Sequence, residues 1–522
     1  MHAGSHPTGG GSARLQLLVV SLISSLVMLD SNVVAVALPT IARSLNADFA
    51  DVQWVITAYV LPFAALLLAA GSFGDRVGRR FAALIGLAVF GLSSLACGLA
   101  VSPTMLNVAR AVQGVGASLV LTASLALINH NFAGAERAKA FAFWGASLGI
   151  AITSGPIIGG VIASTVGWTW AFLINVPICS ALFIAALGMI PESRDPEATG
   201  LDYAGIATFS SGLFFVTWAV IDGNALGWLS APIVWRALGG AALLALFVVV
   251  ELRQRRPMLD FAIFNSRHFI GTVFAMVGYA AGAQVMIFYL PLYLQNAFGF
   301  SPMIAGLAML PFALPMFVVP RLSVHLRWLP RTLLCAGMAV TASANLAMAW
   351  LASAQASYMF FAVAMTVAGI GAGVLNGDTA KALQGALPAN RSGVASGIGA
   401  TTRFVALLFG VAGLGALLVG ATAGRFGLAA RASGMNPADA VALAKRFSAG
   451  DVDGAAAMLP PALRDSLGRS LQDAFHAGFS SAALAAAAVA LVCLWLTWLL
   501  MERPTHAASA IAPADAGYIP GE

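Results

Sequence analysis

Residues 71–80 run Gly71-Ser72-Phe73-Gly74-Asp75-Arg76-Val77-Gly78-Arg79-Arg80, and on either side of them the chain loses its charges. Upstream, Val52 to Gly74 is charge-free; downstream, Phe81 to Ala135 holds a single charged residue, Arg110. A bilayer core about 30 Å thick is crossed by about 20 apolar residues of helix. The basic stretch therefore reads as a short turn joining two membrane-spanning helices. Its glycines permit a tight reversal, and Asp75 can cap or neutralise a helix N-terminus. Arg76, Arg79 and Arg80 can pair with that carboxylate or with helix C-termini on a neighbouring bundle.

The same pattern extends over the whole chain. Of 522 residues, 60% are hydrophobic and 9% charged, against about 25% charged in a soluble protein. A soluble fold of this size could not cover its surface with so few charges, so this is an all-α polytopic membrane protein. Counting charge-free intervals gives Leu15–Ala42, interrupted by Asp30, then Val52–Gly74, two spans in Phe81–Ala135, and two in Ala140–Pro191. Tyr203–Ile221 and Pro232–Val250 follow, then two spans in His268–Pro320, two in Thr332–Gly377, and Gly393–Gly424 and Ala477–Met501. The total is about 14 transmembrane helices. Lys and Arg gather in alternate loops, among them Arg137/Lys139, Arg253/Arg255/Arg256/Arg267 and Lys381/Arg391, while the opposite short loops hold little beyond Arg43 and Arg236. Positive loops mark the cytoplasmic side, which places both termini there and the loop 421–476 outside. Apolar and charged residues mix within that loop, predicting short amphipathic helices.

An internal echo sets the plan of the fold. Leu61-Pro62-Phe63-Ala64 recurs as Leu310-Pro311-Phe312-Ala313, an offset of about 250 residues. Residues 1–14 form a tail, 15–190 a six-helix bundle, 191–267 two inserted helices with their linkers, 268–501 a second six-helix bundle, and 502–522 a second tail. Two related bundles with a site between them is a transporter architecture.

Charges inside the spans are the candidate site. Arg110 costs about 2.5–3.5 kcal/mol in a helix centre unless it is paired or faces water. Asp30 is the one acidic residue well inside a span, about 24 Å up an outward-running helix. Arg110 lies about 9 Å below the outer end of an inward-running one, at a depth where the two can meet. Burial of a polar cluster or a proton relay would each explain Asp30. Gly149, Gly155, Pro156, Gly159 and Gly160 lie in one span, where small residues let helices approach closely and proline loosens the backbone. The cysteines Cys97, Cys179, Cys335 and Cys493 form no CxxC pair, so packing explains them better than metal or disulfide chemistry. The seven histidines form no His-Glu-x-x-His, and no Gly-x-x-x-x-Gly-Lys-Ser/Thr loop for ATP phosphates occurs. An enzyme is not expected, nor any resident cofactor or metal.

Residues 71–80 resemble the loop signature of the major facilitator superfamily, where it acts as a cytoplasmic latch. The core Arg110-Ala111-Val112-Gln113-Gly114 resembles the span-four motif of its proton-coupled drug exporters. Gly155-Pro156-Ile157-Ile158-Gly159-Gly160 is similar to the superfamily's antiporter motif. Asp30 lies in a stretch similar to the first span of the fourteen-span drug:proton antiporters, with Asn32 where threonine is usual. Together these resemblances imply a major facilitator fold of two six-helix bundles plus two inserted helices. They imply export of amphipathic, cationic compounds across the bacterial cytoplasmic (inner) membrane, driven by the proton gradient. In that scheme Asp30 exchanges proton for substrate, Arg110 adjusts its readiness to do so, and Gly71, Gly74, Asp75, Arg76, Gly78, Arg79 and Arg80 gate the inner side. Candidate cavity residues are Asn32, Tyr59, Gln113, Trp144, Gln284, Tyr289 and Arg403. Small molecules, protons and the bilayer are the expected partners of a monomer, with a periplasmic adaptor a further candidate and nucleic acid excluded. The rivals are an exporter or symporter of one metabolite, such as a siderophore, sugar or acid, and a membrane sensor or enzyme acting through the outer loop.

Overall fold

A computed structural model describes residues 10–195, 201–254, 259, 261–323, 325–326, 328–387, 392–459 and 461–501. The expected tails, 1–14 and 502–522, lie outside the described residues except for residues 10–14, which already belong to the first helix. The loop residues Arg255, Arg256 and Arg391 also lie outside them. The described residues are helical without a strand, and 14 helical segments are long and apolar enough to cross a membrane.

The first bundle holds α1 (Gly10–Leu45), α2 (Phe49–Val77), α3 (Arg79–Gly98), α4 (Pro103–Asn131), α5 (Gly134–Thr165), α6 (Trp170–Leu173) and α7 (Asn175–Met189), the last two sharing one span. The inserted pair is α8 (Tyr203–Leu226) and α9 (Ala231–Arg253). The second bundle holds α10 (Arg267–Tyr279), α11 (Met286–Phe298), α12 (Pro302–Ala308), α13 (Leu310–Ser323), α14 (Pro330–Ser353), α15 (Tyr358–Gly385) and α16 (Ser392–Ala432). After α17 (Pro437–Ser448) and α18 (Val452–Ala457), the bundle closes with α19 (Arg464–Leu500).

Local chemistry starts these helices where the charge intervals predict. Asp48 and Asp51 form a reciprocal capping box on α2, and Ser102 caps α4 with Pro103 in the first turn. Helix α10 passes into α11 through a single π turn, Ala280–Gln284. Such a turn displaces backbone carbonyls from their regular partners, and here Asn345 donates to Gly282 O at 2.7 Å.

Within the bundles α2 and α3 pack on α4, α1 on α5, and α14 on both α15 and α19. The seam between bundles is made by α2 against α16 and α5 against α12. The inserted pair lies over that seam, with α8 touching both α2 and α16. Asn224 donates to Ala416 O at 2.5 Å, and Asp222 binds Arg236 at 2.7 Å to tie α8 to α9.

Three boundaries differ from expectation. Helix α2, expected to end at Gly74 before a turn over 71–80, runs on to Val77, so that Gly78 alone breaks the chain between α2 and α3. The thirteenth span, expected to stop at Gly424, continues to Ala432, and the fourteenth begins at Arg464 rather than Ala477. Both helices carry their charged ends beyond any apolar window, where water solvates them, so charge marks the membrane edge and not the helix end. Between them α17 turns Ala440, Leu443, Ala444 and Phe447 inward, as the amphipathic pattern predicts. This segment caps the ends of the bundles. Arg43 donates to Gly450 O at 3.1 Å, and Asn296 to Phe447 O at 2.9 Å.

Candidate functional site

Asp30 on α1 and Arg110 on α4 meet inside the first bundle. Arg110 Nη1 donates to Asp30 Oδ2 at 2.6 Å, and each residue is 1% exposed. The other carboxylate oxygen, Oδ1, accepts from Gln113 Nε2 at 3.0 Å and from Asn175 Nδ2 at 2.7 Å. Ser94 Oγ accepts from Gln113 at 2.7 Å, which draws α3 into the cluster. Arg110 also donates to Val55 O at 3.0 Å, and its guanidinium lies 4.1 Å from the centre of the Tyr59 ring. Five helices thus satisfy one buried ion pair. In a low-dielectric interior an ion pair persists only when its remaining lone pairs and protons are also bonded, and here both carboxylate oxygens are.

Of the candidate cavity residues, Tyr59 and Gln113 belong to this cluster. Asn32 donates to Met28 O on its own helix at 2.7 Å and packs against Gly155. Trp144 is half-buried with its indole N–H unpartnered among the described residues. Tyr289 does not line an open cavity: its hydroxyl donates to Val411 O, and Gln53 donates to the same carbonyl at 3.0 Å. These bonds belong to a seal between the bundles, continued by Gln295 to Val36 O at 3.0 Å and by Met303 N to Ser164 Oγ at 3.0 Å. All lie in the half of the molecule nearer α17.

Gln284 and Arg403 form a second cluster, in the other bundle. Arg403 Nε donates to Gln284 Oε1 at 2.8 Å and Nη2 to the Tyr279 hydroxyl at 3.2 Å. That hydroxyl donates in turn to Asn376 Oδ1 at 2.7 Å.

The glycine-proline stretch of α5 sits on the seam. A Cβ on Gly159 would stand 2.6 Å from Val33 O of α1, and one on Gly160 would stand 2.5 Å from Pro302 O of the other bundle. Gly155 meets Asn32, Gly149 meets Phe317, and the Pro156 carbonyl lies under Gly306. Only glycine allows these backbones so close.

At the opposite end from α17, the 71–80 stretch, which is the end of α2, Gly78 and the start of α3, is knitted to its own bundle. Asp75 binds Arg79 at 2.8 Å, and the backbone of Asp75 and Arg79 bonds to residues 193–195. Gly78, at φ 121°, has no room for a side chain because the Glu192 carboxylate occupies that space. Glu192 accepts from the backbone N–H of Arg80 and Phe81 at 3.0 and 3.1 Å, capping α3. Arg76 is exposed, Gly71 has open space around it, and Gly74 contacts Ala82.

The sequence profile of the Major Facilitator Superfamily matches residues 20–411. The chain belongs to that superfamily. It is 32% identical to the multidrug efflux pump LfrA of Mycolicibacterium smegmatis, over 94% of this chain and 97% of that one. It is 32% identical to the tetracenomycin C resistance and export protein of Streptomyces glaucescens (91% and 89%) and to the multidrug resistance protein Stp of Mycobacterium tuberculosis (77% and 75%). Among solved structures, a bacterial homologue of the lysosomal transporter Spinster superposes with a TM-score of 0.60 at 16% identity, covering 95% of this chain and all of that one. This Major Facilitator Superfamily member is a multi-pass membrane transporter and not an enzyme.

Three residues of the superfamily member's two polar clusters lie outside the candidate set: Ser94, Tyr279 and Asn376. A fourth, Asn175, is visible beside Val176-Pro177 only as a polar residue in an apolar run. Each is a neutral polar side chain, which a bilayer tolerates, so none interrupts a span as Asp30 does.

Proposed function

We propose that this transporter exports amphipathic, cationic compounds by proton antiport, with both termini cytoplasmic in a bacterial inner membrane. The observation that carries it is the Asp30–Arg110 pair, 2.6 Å long and buried between α1 and α4. Protonating Asp30 removes the counter-charge of Arg110 and converts an acceptor of three hydrogen bonds into a group that can also donate. The partners on α3, α4 and α7 must then rearrange, and a network with two arrangements is what links a proton to a helix movement. Asp30 serves as the coupling group and Arg110 as its internal counter-ion. The 71–80 stretch, bonded here within its own bundle, is free to latch the other bundle when that end closes. Similarity to drug-resistance exporters supports the choice of cargo.

The test uses purified full-length protein in weakly buffered detergent with a pH-sensitive dye. Adding ethidium should release protons from the native chain and none from Asp30→Asn, which imitates the protonated state and should still bind the dye. Proton-coupled ethidium export by Asp30→Asn in vesicles would make Asp30 structural.

A further inference from the structure

Arg403 is a second cation inside the bundles, and it differs from Arg110 in one respect. Among the described residues no carboxylate lies within ion-pair distance of it. Its neighbours are neutral: Gln284 Oε1 and the Tyr279 hydroxyl accept its protons, and Tyr279 passes its own to Asn376. This chain of bonds uses acceptors and leaves donors. Arg403 Nη1 and the amide NH2 groups of Gln284 and Asn376 carry no hydrogen bond among the described residues. The cluster is therefore positive and rich in spare N–H groups, and it is anchored at the π turn of the ninth span. Arg403 and Asn376 are half-buried, so these donors can be reached from outside the cluster, and the group that best complements a guanidinium among neutral neighbours is an anionic oxygen.

The surroundings fit an amphipathic molecule. Thr402 and Ala406, near Arg403 on α16, line an apolar cavity of about 620 Å³ together with Val277, Phe209 and Phe247, while Arg403, Gln284 and Asn376 lie beside it and not in its lining. The cluster is also connected to the coupling site. Phe404, next to Arg403, contacts Phe63 across the seam at 4.3 Å between ring centres, and Phe63 contacts Tyr59 at 5.7 Å. Tyr59 lies against Arg110. Aromatic rings in contact thus run from the buried Arg110 to the half-buried Arg403.

We propose that Arg403, with Gln284 and Asn376, binds an anionic oxygen of the exported compound, a carboxylate or enolate, so that amphipathic zwitterions are part of the cargo. This rests on the export reading for the ligand's role as cargo, while the binding preference stands by itself. The probes are rhodamine B, whose xanthene cation carries a free carboxylate, and rhodamine B ethyl ester, which keeps the cation and caps the acid. Fluorescence anisotropy with the purified full-length chain gives both affinities. The native protein should bind the acid about tenfold more tightly than the ester, equivalent to about 1.4 kcal/mol. Arg403→Gln should abolish the preference and leave ester affinity unchanged, which also reports that the variant is folded. Arg403→Lys should keep part of it, as a point charge without the guanidinium fork. Asn376→Ala, a milder change, should reduce it about threefold. The preference should survive Asp30→Asn, so failed proton coupling and a failed anion site give different results. Equal affinity of the native chain for acid and ester overturns the proposal, as does an equal loss of both in Arg403→Gln.

Discussion

At the scale of single residues, the pair Asp30–Arg110 decides most. Each charge is tolerable because the other is 2.6 Å away and three further donors or acceptors complete the site. Removing one member leaves a bare buried charge, at a cost of about 3–5 kcal/mol, while replacing both by neutral groups of similar shape costs much less. Arg110→Ala should therefore lower the melting temperature of the detergent-solubilised protein clearly, and Asp30→Asn combined with Arg110→Gln should restore most of the loss. Equal stability of Arg110→Ala and the native chain would show that the charge is relieved by water. The two charges were legible in the sequence because a bilayer makes charge conspicuous. Their partners were not, since Ser94 and Asn175 differ little from other polar residues in apolar runs.

Helices pack as units, and α5 is the one in closest backbone contact with both bundles. It touches α1 through Gly155 and Gly159, and the second bundle through Gly160 and the Pro156 carbonyl. Val33, against Gly159, lies one turn beyond Asp30 on α1. A methyl group at position 159 would meet the Val33 backbone at 2.6 Å and push the two helices apart. Gly159→Ala should reduce export of a fluorescent dye from whole cells by about tenfold or more, in line with displacement of the buried Asp30–Arg110 pair. Gly239→Ala, in α9, is the control. Its added methyl meets nothing within 4 Å, and in a helix interior alanine is favoured over glycine. It should export at the native rate, and equal loss in both variants would point to a general intolerance of glycine replacement.

On the scale of the molecule, the bundles are joined at one end and not knitted at the other by the 71–80 stretch. Gln53, Gln295 and Met303 close the half nearer α17, and α17 and α18 cover its end. In the proposed orientation, which follows the positive loops, that covered end faces outside. Ser448, in the middle of the outer segment by sequence, is fully buried, so exposed Ser433 is the better probe. The four native cysteines are buried and free, which gives a quiet background. Ser433→Cys should react with an impermeant maleimide applied to intact cells, and Arg194→Cys, exposed at the other end, should react only after the membrane is opened. The reverse pattern would invert the topology.

The sequence alone determined the number of spans, their order as six, two and six, the break between the second and third spans and the two charges of the buried pair. The bilayer is the reason: it demands about 20 apolar residues per crossing and penalises charge, and both requirements are written locally. Tertiary structure decided what depends on the rotation of each helix about its axis. In a soluble helix an apolar stripe reveals that rotation, but here the face toward lipid and the face toward the core are both apolar. Leu92 and Trp235 point outward at 69% and 73% exposure, while Phe63 and Phe90 are fully buried, and nothing in their types distinguishes them. Only the packed bundles show that Asn175 reaches Asp30, that Gly160 touches Pro302, and that Arg403 stands among neutral groups with donors to spare.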